Sequence, residues 1–412
     1  MSAVEAIGTV SYSRVPETWN EAAWRGAGAF TAVFLNYNKA KTIRRSVEAT
    51  LAQNHTALEI IFMDDASTDG SGDAMEEIVR AYRGPHKVAV VRNPRNLGIC
   101  GQWNQLKAFT DGEWFGMFCA DDVPHADRVS SVAALIRDRP SLRGVCTAMD
   151  PFDLRTGEPR PDCAYPPGEV FEVRGDEMPE DIYLKKWPVG CTSFWRRCVF
   201  SRPLPHVALD DLLIKWILHM DAVGEPGVVW MYDGRIATID YGVGEGLWSQ
   251  LRASRDPAMD DAEWSRVSSE RVERAERRNV EAWRAIRGEA ASRGEACAGF
   301  RALAERCIVH HSVKAADAAG GRLGRAEAAA AARRVVEDLE GEFGPQPQIV
   351  RVGGRLREMN GACRNALRMV AKWAYWTLRR PFSGGVARKK CESRALDARF
   401  ALAWSARRKG AS

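Results

Sequence analysis

At 412 residues with 45% apolar content, the chain can hold one large domain with additions, or two domains, and its composition is that of a globular protein. The net charge of +5 is unevenly spread: Arg351 to Ser412 carries 16 Lys/Arg against 3 Asp/Glu, about +13, so the preceding residues sum to about −8. That contrast points to a folded body with a basic docking tail. The ten cysteines include no CxxC pair, which argues against a metal knuckle and for reduced thiols in a cytosolic setting. Met1 to Gly28 lacks the apolar core of a secretory signal, and no run reaches the ~18 apolar residues of a membrane span.

In chain order, a leader (1–29) precedes an alternation of short apolar runs and amphipathic stretches. FTAVFLNYN from Phe30 predicts a strand and Lys41 to Gln53 a helix. LEIIFM predicts a second strand, Ser71 to Tyr82 a helix, HKVAVVRN a third strand, and Leu97 to Thr110 a helix. WFGMFCA predicts a fourth strand, His125 to Asp138 a helix, and Arg143 to Met149 a fifth strand. Near-continuous apolar strands alternating with helices predict an α/β fold, a mostly parallel sheet flanked by helices. Ligands bind such sheets at the carboxyl ends of the strands. Asp150 to Gly175 reads as a hairpin or loop, and Gly190 to Phe200 as a strand and turn. Leu209 to Met220 reads as an apolar helix opening on two acids, and Gly227 to Tyr241 as more short strands. The segment 251–343 is Ala/Arg/Glu-rich and predicts an α-helical extension, with weak breaks near Gly288, Gly294 and Gly320. GPQPQ then reads as a linker into a basic region, 344–412.

Two acid pairs close two of the strands. Asp64-Asp65 opens the turn DDASTDGS, and Asp121-Asp122 precedes Val123-Pro124. Adjacent carboxylates at a strand end repel one another and are costly to desolvate, so they need a cation or a polar ligand. Read without context, the first pair is also compatible with simple turn chemistry and the second with helix capping. The segments FLNYNKAKTIRRSVEATLAQNHTALEIIFMDDASTDGS, RNPRNLGICGQWNQ and ADDVPHADRV stand in that order over Phe30 to Ser249. Together they resemble the family 2 glycosyltransferases of the GT-A fold (nucleotide-diphospho-sugar transferases, Rossmann-like), which places the catalytic domain at 30–250.

The resemblance implies an inverting transfer of one sugar from a nucleotide-diphosphate sugar donor to a hydroxyl on a glycan or lipid-linked acceptor. It implies nucleotide contacts from Leu35, Tyr37, Asp65, Asn96 and Asp121, with Asp64 capping the turn into the next helix. Asp121-Asp122 resembles the family's DXD element, with Asp122 as the direct ligand of Mn²⁺ or Mg²⁺ and Asp121 as a ribose, second-layer or metal contact. Hard oxygen donors suit those ions. Cys119 stands where many members, reading DADD, carry a further acid. Asp211 of Asp210-Asp211 matches the family's ED-type general base, and an ordinary Asp with a pKa of about 3.9 is ionised at pH 7. The same two acids would also suit a bare helix N-terminus. IDYGVGEGLWS resembles the segment that follows but lacks a histidine that members often carry there. Arg92 and Arg95 are candidates for phosphate contact.

Two other readings compete: a sugar-nucleotide nucleotidyltransferase, whose Gly-rich N-terminal loop is missing after Phe30, and a non-catalytic partner-binding relative. The histidines show no metal-ligand spacing, and His310-His311 reads as a solvated helix face. From Leu356 to Arg380, Leu356, Met359, Cys363, Leu367 and Val370 recur at helical spacing opposite Arg357, Arg364, Arg368, Lys372 and Arg379. Such a basic helix suits an anionic membrane surface, making the protein peripheral at the inner face, or packs on the catalytic domain. No motif supports nucleic-acid binding.

Overall fold

The structure is a computed structural model that describes residues 8–153, 156–159, 168–177, 190–205, 210–225, 227–243, 261–320, 338, 341, 349–352 and 355–358. The chain divides into two compact units, residues 1–254 with 281–304, and residues 255–280 with 305–412.

The first unit is built on a ten-stranded sheet. Its centre is four parallel strands: β2 (Phe30–Asn36), β3 (Glu59–Asp64), β4 (Lys87–Arg92) and β5 (Trp114–Cys119). β2 and β3 are buried at every position, as expected for strands covered on both faces. Helices α2 (Ile43–Leu51), α3 (Ser71–Ala81), α4 (Gly98–Gln105) and α5 (Arg128–Ile136) make the crossovers and end each turn of chain on the same edge of the sheet. The core joins Phe30, Phe34, Ile60, Phe62, Val90 and Phe118 from the strands to Val47, Met75, Val79 and Val132 from the helices.

Outside this centre the sheet is mixed: β1 (Thr9–Arg14), β6 (Val123–Pro124), β8 (Val170–Arg174) and β9 (Ser193–Arg196) pair antiparallel with their neighbours, while β7 (Gly144–Asp153) and β10 (Val228–Val243) pair parallel with each other, in the order β1-β4-β3-β2-β5-β9-β7-β10-β6 with β8 also on β10. β9 (Ser193–Arg196) inserts between β5 and β7 (Gly144–Asp153), antiparallel to both. The short strands expected over Gly227 to Tyr241 are a single strand, β10 (Val228–Val243). It pairs with β7, with β8 (Val170–Arg174) and with β6 (Val123–Pro124), and register shifts interrupt its pairing with β7. Those shifts let one strand serve three partners, and they break the local pattern into pieces that read as separate strands.

The leader also holds structure that the sequence reading missed: β1 (Thr9–Arg14) pairs antiparallel with β4, and α1 (Glu21–Gly26) is capped by Asn20. β1 alternates without a continuous apolar run because it lies at the edge of the sheet, largely exposed.

Helix α6 (Asp210–Met220) is held by residues that the composition assigned to the helical extension. Helix α7 (Asp261–Ser292) runs unbroken through Gly288, and helix α8 (Ala298–Gly320) follows a 3₁₀ turn at Gly294–Cys297. Within the first unit, Trp216 of α6 packs against Trp283 and Phe300, with ring centroids 5.6 and 5.7 Å apart. Arg293 pairs with Asp221 at 2.7 Å. The core of the first unit therefore extends into residues 281–304.

In the second unit, Glu276 is 7% exposed and receives His311 Nδ1 at 2.5 Å and Lys314 Nζ at 2.6 Å. His310-His311 is therefore not a solvated face: burial pushes His310 down to about 3, and His311 is committed to a buried carboxylate. A hairpin of β11 (Ile349–Val352) and β12 (Arg355–Glu358) also lies in this unit. Leu356–Glu358, expected to begin the basic helix, are strand, because IVRV-GG-RLRE alternates at period two around a Gly-Gly pair. The remainder of that expected helix and the GPQPQ linker lie outside the described residues. Among the described residues no helix is long and apolar enough to cross a membrane.

Candidate active site

Of the residues singled out from sequence, Leu35, Tyr37, Asp65, Asp121 and Asp122 lie at or just beyond the carboxyl ends of β2, β3 and β5. Leu35 is buried in β2, whereas Tyr37, just past its end, is 45% exposed. The next residue, Asn38, turns the chain with φ 52°, and the NYNK loop is then stitched to the turn after β3. Asn38 N–H donates to Ser67 Oγ at 3.0 Å, Lys39 N–H to Ser71 Oγ at 3.2 Å, and Ala40 N–H to Asp69 Oδ2 at 2.9 Å. In return Thr68 N–H donates to Asn38 Oδ1 at 2.8 Å. The short polar residues of DDASTDGS thus serve as partners for a second loop as well as turn formers.

The N-cap of α3 is Gly70 with no side-chain bond, and Asp64 caps the turn that leads to it, accepting from Ser67 N–H, as expected. Its carboxylate takes Asn36 Nδ2 at 2.7 Å, Ser67 N–H at 3.3 Å and Arg92 Nη1 at 3.1 Å. Arg92 also binds Asp73 at 2.7 Å and Glu76 at 3.1 Å, so it is committed to carboxylates on β3 and α3 rather than open to a phosphate. Gly72 permits this approach: a Cβ there would lie 2.1 Å from Arg92 Nη1 and 2.6 Å from Asp64 Oδ2.

Asp65 caps a different element, the start of helix α4. Only 1% exposed, its carboxylate accepts Asn93 Nδ2 at 2.8 Å, Leu97 N–H at 2.9 Å and Gly98 N–H at 2.9 Å. Those bonds use three of the roughly four lone-pair directions a carboxylate offers. Exposed Asn96 shares the same helix start, accepting from Gly98 N–H at 3.0 Å. Asn93 continues inward to Gln105 (2.7 Å), which accepts from Gly8 N–H at 2.7 Å.

At the end of β5, Asp121 is paired with Lys39 at 2.7 Å, while Asp122 is 2% exposed. The preceding carbonyl, Ala120 O, is held by two hydroxyls of the facing chain, Thr42 Oγ1 at 2.7 Å and Ser46 Oγ at 2.9 Å. One donor atom each from Cys119, Asp121 and Asp122 lies within 4.8 Å of the others. Two carboxylates and a thiol at that spacing form a donor set able to close on one divalent cation.

Beneath them lies Arg128, fully buried at the start of α5. It donates to Met117 O at 2.7 Å and Cys191 O at 2.6 Å and sits 4.2 Å from the Phe118 ring centroid. Burial lowers it to about 10, against the pull of Cys191, Cys119 and Asp122, so it stays charged at neutral pH. Buried Cys191 hydrogen-bonds Asp122, and its thiol is pushed well up, by burial first and then by the charges of Asp122 and Cys119.

A second cluster lies on neighbouring strands. His125 Nδ1 is 3.1 Å from Ala237 O, its Nε2 is 3.1 Å from Asp240 Oδ1, and Asp150 completes a group within 4.8 Å. Sequence spacing could not reveal it, because β10 brings it together by pairing with both β6 and β7. Asp211 stands in the first turn of α6; its side chain, Asp210's, and residues 244–250 lie outside the described set.

Lys39, Arg128 and Cys191 were missed by sequence reasoning. Lys39 follows the Tyr37-Asn38 turn that aims it across the strand ends, but nothing local marks its partner. Arg128 reads as an ordinary exposed arginine in ADRV, and Cys191 is 69 residues from the acid it touches.

Residues 31–191 match the sequence profile of glycosyl transferase family 2. The succinoglycan biosynthesis protein ExoO of Rhizobium meliloti is 31% identical over 124 residues, covering 30% of this chain and 33% of that protein. An uncharacterized glycosyltransferase of Nostoc sp. is 34% identical over 97 residues, covering 23% of this chain and 29% of its own length. The chain thus spans about a third of the length of these curated relatives. Among solved structures, Staphylococcus aureus TarS 1–349 in complex with UDP-GlcNAc aligns over 80% of this chain and 96% of its own, at 16% identity and a TM-score of 0.44. The mannosyltransferase PcManGT of Pyrobaculum calidifontis, in complex with GDP-Man and Mn²⁺, aligns over 92% and 86%, also at 16% identity and TM-score 0.44.

Proposed function

We propose that the chain is a metal-dependent, inverting glycosyltransferase that moves one sugar from a nucleotide-diphosphate donor to a hydroxyl acceptor in the synthesis of a cell-surface polysaccharide or glycolipid. The observation that carries this reading is the donor set Cys119, Asp121 and Asp122 at the end of β5, beside the strand ends that carry Tyr37 and Asp65. The match of residues 31–191 to the family profile supports it, as does the likeness to a protein named for succinoglycan biosynthesis.

Asp122 and Asp121 would hold Mn²⁺ or Mg²⁺, which when bound supplies Lewis-acid stabilisation of the departing diphosphate. Tyr37, exposed at the mouth, offers a ring face for the base. Asp65, with one lone pair left, accepts from the base edge and at the same time fixes the start of α4, where Asn96 lies. Lys39 supplies positive charge beside Asp121 where phosphate oxygens would lie. Asp211, in the first turn of α6, takes the proton of the attacking acceptor hydroxyl. Inversion follows from a single displacement with that base opposite the leaving group.

A peripheral position at the inner membrane face through the basic region 344–412 belongs to the same proposal. A thermal-shift screen of nucleoside diphosphates and sugar nucleotides, with and without Mn²⁺, tests the donor site. A ligand at 100 times its dissociation constant stabilises by ~2.7 kcal/mol. No Mn²⁺-dependent shift with any nucleoside diphosphate would remove the donor assignment.

A further inference from the structure

The third donor of the proposed metal centre is a thiol. Cys119 occupies the position of an acid in the DADD pattern, and its Sγ falls within 4.8 Å of carboxylate oxygens of both Asp121 and Asp122. Donors on one cation at bond lengths of ~2.0–2.3 Å lie at most roughly 4.6 Å apart, so the three can meet on one ion with small adjustments. The two thiols near the cluster differ in burial. Cys191 is buried and hydrogen-bonded to Asp122, so it orients that carboxylate from within. Cys119, half-buried at the last position of β5, faces the acid pair.

We propose that Cys119 is a thiolate ligand of the divalent cation held by Asp121 and Asp122, and that this site therefore prefers thiophilic ions (Zn²⁺ and Cd²⁺, then Mn²⁺) over Mg²⁺. The inference rests on the metal reading above. As the metal–sulfur bond forms, the thiol proton leaves to solvent, so the metal-bound set carries the same formal charge as three carboxylates. What changes is softness: thiolate favours Zn²⁺-like ions, whereas Mg²⁺ demands an octahedral shell of oxygens. The buried Arg128 cation beneath the cluster offsets part of that negative charge.

The test uses the full chain in a Cys198→Ser background, which removes an exposed thiol. Three proteins are compared: Cys119 intact, Cys119→Ser, and Cys119→Asp, which restores the acid of the DADD pattern. Each is titrated with Cd²⁺ and followed by near-ultraviolet sulfur-to-metal charge-transfer absorption. Mn²⁺ binding is followed by electron paramagnetic resonance, with Mg²⁺ as competitor. The expected result is a saturable one-equivalent Cd²⁺ band that both substitutions abolish. Cd²⁺ affinity, read from its displacement of Mn²⁺ by paramagnetic resonance, falls by at least roughly tenfold in Cys119→Ser, and Mg²⁺ competes better against Mn²⁺ in Cys119→Asp than in the parent. If Mn²⁺ binds but the Cd²⁺ band is the same in Cys119→Ser, the thiolate assignment is overturned and the metal site stands. If no protein binds Mn²⁺ or Cd²⁺, the metal reading falls with it.

Discussion

Asp65 has a structural role beside its proposed contact with the nucleotide, and replacing it with alanine should reveal the structural share on its own. The methyl group would leave three donors without their acceptor: Asn93 Nδ2, Leu97 N–H and Gly98 N–H. Gly98 N–H keeps Asn96 Oδ1 at 3.0 Å, so two donors are orphaned. Each buried, unsatisfied donor costs ~1–3 kcal/mol, which gives a total of about 3 kcal/mol as a working figure. At ~2–4 °C per kcal/mol for a domain of this size, Asp65→Ala should melt roughly 6–12 °C below wild type. Asp65→Asn should fall between wild type and Asp65→Ala, because its one carbonyl oxygen can keep the Asn93 and Leu97 donors while its NH₂ faces the Gly98 donor. The assay is thermal unfolding by near-ultraviolet circular dichroism without nucleotide, so that loss of ligand binding cannot contribute. An Asp65→Ala protein melting within about 1 °C of wild type would show that the carboxylate does not cap α4, since that cap alone is worth ~1 kcal/mol.

Tyr37→Ala should do the reverse: with the ring 45% exposed, unfolding stability should change by less than ~0.5 kcal/mol, while calorimetric affinity for a nucleoside diphosphate falls by the ~1–3 kcal/mol of a base–aromatic stack. Asp211→Asn should abolish transfer in a radiolabelled-sugar assay while leaving nucleotide affinity within twofold or so of wild type, as expected for a base acting only in the chemical step; wild-type turnover would reject the assignment. Lys39→Met removes the cation on Asp121, so Mn²⁺ should bind more tightly by paramagnetic resonance while the donor diphosphate binds more weakly; a parallel loss of both would contradict the role given to Lys39. In the second unit, burial alone would raise the Glu276 carboxyl, but His311 and Lys314 overcome it and hold it down to about 2, against an ordinary value of 4.5. A depressed carboxyl stabilises above its unfolded value and loses that contribution as pH falls through its folded value. The destabilisation caused by Glu276→Gln should therefore be complete at pH 7 and shrink between pH 4.5 and about 2, measured by urea unfolding at each pH.

The legible parts of this protein were those in which one local pattern has one structural solution. Apolar runs such as LEIIFM can only be strands buried on both faces, and the polar residues that end them must sit at the ligand edge of a parallel sheet. Hence Tyr37, Asp65, Asp121 and Asp122 could be placed before any coordinates. Partnerships made across the fold were not legible. Nothing near Lys39 names Asp121 as its partner, nothing near Asp65 names the amides of α4, and His125 meets Asp240 only because β10 lies between two other strands. β1 was lost because an exposed edge strand needs no apolar run, and Leu356 because one leucine satisfies helical and alternating spacing equally well.

The two hydroxyls on Ala120 O have a thermodynamic consequence. Thr42 and Ser46 fix the peptide leading into Asp121 to the first turns of α2, while Ser67, Asp69 and Ser71 fix the loop that carries Lys39. The backbone that would receive a cation is therefore already immobile, its ordering cost met during folding. Binding calorimetry should then find little unfavourable conformational entropy on loading the site. A Thr42→Val, Ser46→Ala double substitution, which touches no ligand atom, should weaken binding through entropy while leaving the enthalpy of coordination nearly unchanged.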